Sequence, residues 1–182
     1  MSGDRMSGLY RHNKTLNNTL RESIQEALVL LLKEKSYADI TISEICRKAG
    51  FSRTGFYSNY SSKDDVFYRV LYSALDEITT RLGSPFSKKL SIEWYENVFK
   101  IIKDNADFFS LVSKEDYYGV FYSSFNKIIM EQNDFGEKER YSRLIWGGGF
   151  LNIVIFWLNS GMTEPVGNLA EYCHKKLSPI LL

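Results

Sequence analysis

The chain has 182 residues, 44% hydrophobic and 25% charged, enough for one ordinary domain or two small ones with a packed core, which excludes an intrinsically disordered protein. A net charge of +1 excludes any bulk electrostatic argument for nucleic acid, so such a function has to come from local patterning. Two cysteines, Cys46 and Cys173, exclude a disulfide framework and point to reduced thiols in a cytoplasmic protein.

The first residues, MSGDRMSGLYRHNK, are polar and basic and lack the apolar stretch of a secretory signal. Arg5, Arg11, Lys14 and Arg21 form a candidate basic arm. Ile24, Ala27, Leu28, Leu31 and Leu32 lie three and four apart, which predicts a helix with one buried face.

The next stretch, ADITISEICRKAGFSRTGFYSNYSSKDDV, is polar and dotted with glycine. Thr41 followed by Glu44 fits a capping box and starts a helix whose buried face is Ile42, Ile45, Cys46 and Ala49. Gly50 suits a left-handed C-cap, and Phe51 plugs inward. Ser52 caps a short second helix with Arg53, Thr54 and Gly55 in its first turn. Ser61 or Ser62 caps a third start, with Asp64 and Asp65 favourably placed near its N-terminus. Helix, tight turn, short helix is the shape of a helix-turn-helix, whose second helix enters the DNA major groove N-terminus first.

Side-chain chemistry agrees with that shape. Arg53 is able to donate two hydrogen bonds to a guanine edge. Thr54, Ser58 and Asn59 are short polar groups for bases or phosphates, Gly55 allows close backbone approach, and Tyr57 and Lys63 are phosphate partners. Between Thr41 and Lys63, four basic residues (Arg47, Lys48, Arg53, Lys63) stand against one acid, Glu44. Phe56 reads as core, Cys46 as a small buried hydrophobe, and Arg47 and Lys48 as either a solvated face or part of the contact.

Apolar spacing resumes at Phe67, Val70, Leu71, Ala74, Leu75, Ile78 and Leu82 and predicts a longer helix. GSPFSKKLS, from Gly83 to Ser91, breaks it and is the best linker candidate. Further helices are predicted near 91–103, 106–113, 116–132, 138–160 and 165–181. No strand pattern of any length occurs, so the fold class is all-α.

Taken together, Ile42-Ser43-Glu44-Ile45, Ala49-Gly50-Phe51-Ser52, Phe56-Tyr57-Ser58-Asn59-Tyr60 and Lys63-Asp64-Asp65-Val66 resemble the DNA-binding region of TetR-type transcriptional regulators, over about Asn18 to Leu75. The combination is specific, and any one piece alone is weak. The resemblance implies a helix-turn-helix domain with its N-terminal arm over 1–62, a connecting helix over 63–82, and a ligand-binding and dimerisation domain over 83–182. It places Ser43 and residues Arg53 to Asn59 in the groove, with Thr41 beside them, and Tyr57 and Lys63 on phosphates. Thr54-Gly55 departs from the glycine-then-threonine order common in the family, so no relative's operator transfers to this chain.

The C-terminal part is dense in aromatics, which read either as core or as the wall of a pocket. The pocket candidates are Trp94, Tyr95, Phe99, Phe108, Tyr117, Phe121, Phe125 and Trp146, and such a pocket favours a flat or lipophilic effector. The helix around 138–160 is apolar nearly all round, so it has to be covered on more than one side, and a partner subunit is the natural second cover. Its longest apolar run, Leu144 to Leu158, is shorter than a membrane span requires and reads as a buried helix; no membrane partner is expected. Gly147, Gly148 and Gly149 serve close helix approach or leave room for a ligand. By resemblance, the last two helices form a four-helix dimer interface, with Phe150, Ile153, Val154, Trp157, Leu169, Cys173 and Leu177 as the interface candidates.

Catalytic signatures are missing: there is no HExxH, no GxSxG and no paired-cysteine metal spacing, and no cofactor is called for. The expectation is therefore a cytoplasmic, homodimeric, ligand-responsive repressor on double-stranded DNA with a near-palindromic operator. The alternative is a TetR-like protein-interaction module with no operator of its own.

Overall fold

Helix-forming stripes become helices throughout the described residues, with no strand among them. The computed structural model describes residues 3–86, 90–112, 114, 117–131 and 136–181; the side chains of 3–17 and 137 lie outside the description, and with them Arg5, Arg11 and Lys14 of the basic arm. In chain order the helices are α1 (Gly3–Glu34), α2 (Ile42–Ala49), α3 (Arg53–Tyr57), α4 (Lys63–Leu82), α5 (Ile92–Asp104), α6 (Ala106–Val112), α7 (Tyr118–Glu131), α8 (Glu137–Asn159) and α9 (Val166–Leu177), closed by a 3₁₀ turn, Ser178–Leu181. The all-α expectation holds, and α5 to α8 start and stop within about two residues of their predicted places. The predicted last helix ends at Leu177 and tightens into the 3₁₀ turn.

By packing, the chain divides into two compact units, residues 1–70 and 71–182. The division falls inside α4, not at either of its ends.

In the first unit, Ile24, Leu28 and Leu32 of α1 are buried with Ile45 and Cys46 of α2, Phe56 of α3, and Val66 and Phe67 of α4. Local chemistry holds the short elements in place. Thr41 and Glu44 complete the capping box, with Glu44 N–H on Thr41 Oγ1 at 3.3 Å and Thr41 N–H on Glu44 Oε2 at 3.0 Å. Gly50 ends α2 at φ +76°, a backbone region closed to most side chains. Phe51 N–H then donates to Cys46 O at 3.0 Å, and Ser52 Oγ receives Gly55 N–H at 3.1 Å to start α3.

In the second unit, α5 packs on α9, and α6 and α7 pack on α8. Two of the three glycines of α8, Gly147 and Gly149, are explained by their neighbours. A Cβ on Gly147 would lie 2.4 Å from Ile129 Cδ1 of α7, and one on Gly149 would lie 3.0 Å from Leu177 Cδ2 of α9. Close approach, on two sides, is therefore their use. As folded, α8 extends beyond its apolar run and is long and apolar enough by composition to cross a membrane, yet Trp146, Phe150, Val154 and Trp157 are buried inside the protein.

Candidate nucleic-acid interface and apolar cavity

The capping box and the Gly50 turn project the start of α3 outward. Arg53, Thr54, Tyr57 and Ser58 are exposed there, Tyr57 at 58%. Arg53 Nη2 donates to Ser43 Oγ on α2. Arg47 lies on the neighbouring helix with its side chain 80% exposed. Tyr57 leans edge-on against buried Phe56, with ring centroids 5.4 Å apart, so a fixed base carries an outward hydroxyl.

Other residues expected in this interface are engaged within the protomer. Thr41 is exposed, but its hydroxyl completes the α2 cap. A Cβ on Gly55 would meet Leu20 Cδ1 at 3.5 Å, an ordinary contact on the α1 side, so space inside the protomer does not demand glycine there. Asn59 is half-buried: Arg21 Nε donates to its Oδ1 at 3.0 Å, and its Nδ2 donates to Gly55 O at 3.0 Å. That takes Arg21 from the arm to the end of the helix-turn-helix.

Lys63, expected on a phosphate, is also engaged within the protomer. Its ammonium donates to the carbonyls of Tyr37, Ala38 and Ile40 at 2.5, 3.3 and 2.9 Å, and sits 4.3 Å from the centre of the Tyr37 ring. An ammonium has three donors. A phosphate would have to displace a carbonyl, so Lys63 is a latch between α4 and the α1–α2 turn. Burial lowers its pKa, and nearby Asp64 and Asp39 oppose that. Tyr37 O–H donates to Asp64 across the same junction.

The charge pattern shifts as well. Glu44 takes Lys35 at 2.7 Å, and Lys48 takes Glu34 at 2.5 Å. The hydrogen bond from Lys35, then those from Thr41, hold the Glu44 carboxyl down at about 2. Arg47, 3.9 Å from Glu44 Oε1 but with its side chain largely exposed, and Arg53 are the cations displayed beside α3.

The second unit holds an apolar cavity of about 70 Å³ between α4, α5, α7 and α8. Four of the pocket candidates, Trp94, Phe121, Phe125 and Trp146, line it. Tyr95, Phe99, Phe108 and Tyr117 do not. Tyr95 and Phe99 are fully buried in the α5–α8–α9 core, where Tyr95 Oη accepts Trp146 Nε1–H at 2.9 Å. Phe109, edge-on to Phe108, takes the cavity position. Tyr117 is buried outside the lining. The sequence reading missed the α4 wall of Leu71, Leu75, Ile78 and Thr79, although their spacing had already marked that face as apolar. The polar side-chain groups of the wall are all engaged: Trp94 Nε1 with Gly83 O at 3.1 Å, Trp146 with Tyr95, and Thr79 Oγ1 with Asp76 O at 3.1 Å. A cleft of about 320 Å³ adjoins the cavity, shares Leu75, Thr79 and Ile128 with it, and is rimmed by Tyr72, Asp76 and Glu131.

Most of the expected dimer-interface residues face inward. Phe150, Val154, Trp157, Cys173 and Leu177 are buried in the protomer core, and Phe150 and Val154 line the cavity. A partner could cover almost none of their surface. Burial pushes the Cys173 thiol up to about 12. Ile153 and Leu169 are half-buried and border a groove of about 480 Å³ between α8 and α9. The exposed apolar surface sits beside them: Phe156 at 76% and Tyr172 at 55%, with Tyr141 and Ile145 further along α8.

Residues 24–70, which include the helix-turn-helix, match the sequence model of the bacterial regulatory proteins of the TetR family. An uncharacterized HTH-type transcriptional regulator of Bacillus subtilis, YfiR, is 26% identical over 151 residues, covering 81% of this chain and 69% of its own length. A second from the same organism, YxbF, is 38% identical over 63 residues, and the match spans 17% of YxbF and 34% of this chain. Among solved structures, a TetR transcriptional regulator from Streptococcus agalactiae shares the fold at a TM-score of 0.57, with 18% identity over 92% of this chain and 98% of that one. The fatty acid degradation regulator FadR from Bacillus halodurans shares it at 0.51, with 16% identity over 87% and 94%. The capping box, the Gly50 turn and the short helix that displays Arg53 all lie inside the matched region, so it is the helix-turn-helix segment of this chain that matches the TetR family of bacterial regulatory proteins.

Proposed function

We propose that the protein is a homodimeric repressor that binds a near-palindromic operator and is released from it by a small lipophilic or aromatic effector. The observation that carries this reading is the outward start of α3, where Arg53, Thr54, Tyr57 and Ser58 stand exposed on a scaffold fixed by the Gly50 turn and the Ser52 cap. Arg53 suits a guanine edge, and Tyr57 and Arg47 suit phosphates. Residues 1–62 then act as the reading head, 63–82 as connector, and 83–182 as effector and dimer domain, in the cytoplasm and without catalysis.

The effector site is the apolar cavity. At about 70 Å³ it is contracted, against roughly 300–1,000 Å³ for a small-molecule site, so an effector has to widen it. The wall has no uncommitted polar side chain, which favours an apolar guest entering by the Tyr72–Glu131 cleft. Widening moves the α4 wall, and α4 is latched at its first residue to the α1–α2 turn. Differential affinity of the effector for the two α4 positions then releases DNA; a hundredfold loss of operator affinity requires a hundredfold preference. The fatty acid degradation regulator FadR shares the fold, which accords with a lipophilic guest. The dimer forms through Phe156, Tyr172 and the α8–α9 groove, a two-fold interface that sets two copies of α3 on successive major grooves.

The test is selection of bound sequences from a random duplex pool at a stated salt concentration. An enriched inverted repeat with a steep salt dependence supports the reading. No enrichment from an intact dimer refutes it and favours the protein-interaction module.

A further inference from the structure

Among the exposed side chains described on α3, Arg53 has its aim set from another helix. It stands at the first position of α3, exposed, and its Nη2 donates to the hydroxyl of half-buried Ser43, the second residue of α2. Ser58, just past the end of α3, bonds back to Thr54 O. Both ends of the Ser43–Arg53 bridge are held by rigid backbone. The capping box fixes the start of α2, and the Phe51–Cys46 and Gly55–Ser52 bonds fix the turn into α3.

The guanidinium has five donors in a fixed fork. Ser43 takes one, so four remain, enough for the paired contact to guanine O6 and N7. A free surface arginine samples many rotamers and must give them up on binding. Ser43 removes part of that loss beforehand and restricts the directions in which the fork points. A residue whose hydroxyl is already turned to Arg53 is also poorly placed to touch a base itself.

We infer that Ser43 is a positioning residue for operator specificity: it aims Arg53 at one base pair of each half-site and makes no base contact of its own. This rests on the DNA-binding reading above.

The experiment repeats the duplex selection with full-length wild type, S43A, S43T, R53A and the double variant S43A/R53A, followed by affinity measurements over a salt series. R53A should flatten discrimination at one position per half-site by roughly 5- to 150-fold, the range of a paired arginine–guanine contact. S43A should flatten that same position by about 2- to 10-fold, the size of one lost hydrogen bond, with the other positions and the salt slope unchanged. S43T, which keeps the hydroxyl, should retain discrimination. The double variant should match R53A alone, because Ser43 has nothing left to aim. A merely structural Ser43 would lower affinity equally at all bases, and that result overturns the inference. So does an unchanged S43A profile, or loss at a position that R53A leaves intact. If wild type enriches no sequence while remaining folded and dimeric, the DNA-binding reading itself fails and takes the inference with it; the inference alone fails only where wild type binds.

Discussion

Lys63 offers the sharpest test of the structure, because the residue pattern and the geometry assign it opposite jobs. Its three ammonium protons meet the carbonyls of Tyr37, Ala38 and Ile40 at 2.5 to 3.3 Å. A charged hydrogen bond contributes about 1.5–3 kcal/mol at most, but the three share one donor group, and Tyr37 O keeps the Ile40 N–H at 3.2 Å. Losing the ammonium should therefore cost about 2–3 kcal/mol in all. K63M retains most of the stem and should lose nearly as much as K63A, which separates the hydrogen bonds from the packing. In urea denaturation the midpoint should fall at unchanged slope, and Tm should drop by roughly 4–12 °C for a chain of this size. Operator binding supplies the second reading. Each phosphate contact contributes about 0.9 to the slope of log K against log salt, so two phosphate-binding lysines per dimer would remove about 1.8 from it. The latch predicts no change in that slope. A K63M protein of wild-type stability with a slope shallower by about 2 would refute it and return Lys63 to the phosphates.

Three further outcomes follow from the geometry. F156A should weaken self-association by at least about 30-fold in a sedimentation concentration series, since three-quarters of a phenylalanine is presented there; unchanged association would move the interface off this face. Glu44, held at about 2 against an ordinary 4.5, stabilises the fold fully above pH 4.5, and that contribution is lost as pH falls toward 2. E44Q should remove this acid limb in a pH series of thermal melts, and a limb identical to wild type would sink the assignment. V154L intrudes on the apolar cavity and should make effector response weaker while operator affinity stays within a few-fold, as read by fluorescence anisotropy; undiminished release would place the effector elsewhere.

Local order was legible because it is written in short-range chemistry. Thr41–Glu44, Gly50 and Ser52 each act within three or four residues, so the capping box, the left-handed turn and the second cap could be read directly and recur in the structure. The α4 stripe was equally legible, though its role as a cavity wall was not. Lys63 and Asn59 show where this kind of reading stops. Their partners lie 23 to 26 and 38 residues away in the chain, and a lysine beside a helix-turn-helix looks the same whether it meets a phosphate or a carbonyl.

What the sequence by itself determined is therefore the all-helical class, the boundaries of the middle helices, and the helix-turn-helix with Arg53 at its leading edge, since periodicity and capping depend on near neighbours. What only the tertiary structure decided is which face of each helix points inward. On α8, Trp146, Phe150, Val154 and Trp157 share one side, and Tyr141, Ile145 and Phe156 share another, and both are apolar. Hydrophobicity has no direction along a helix apolar all round. The choice was made by α7 closing on Gly147 and by α9 closing on Gly149, where a side chain would have filled the space. Those contacts sent Phe150 and Val154 to the cavity and left Phe156 exposed.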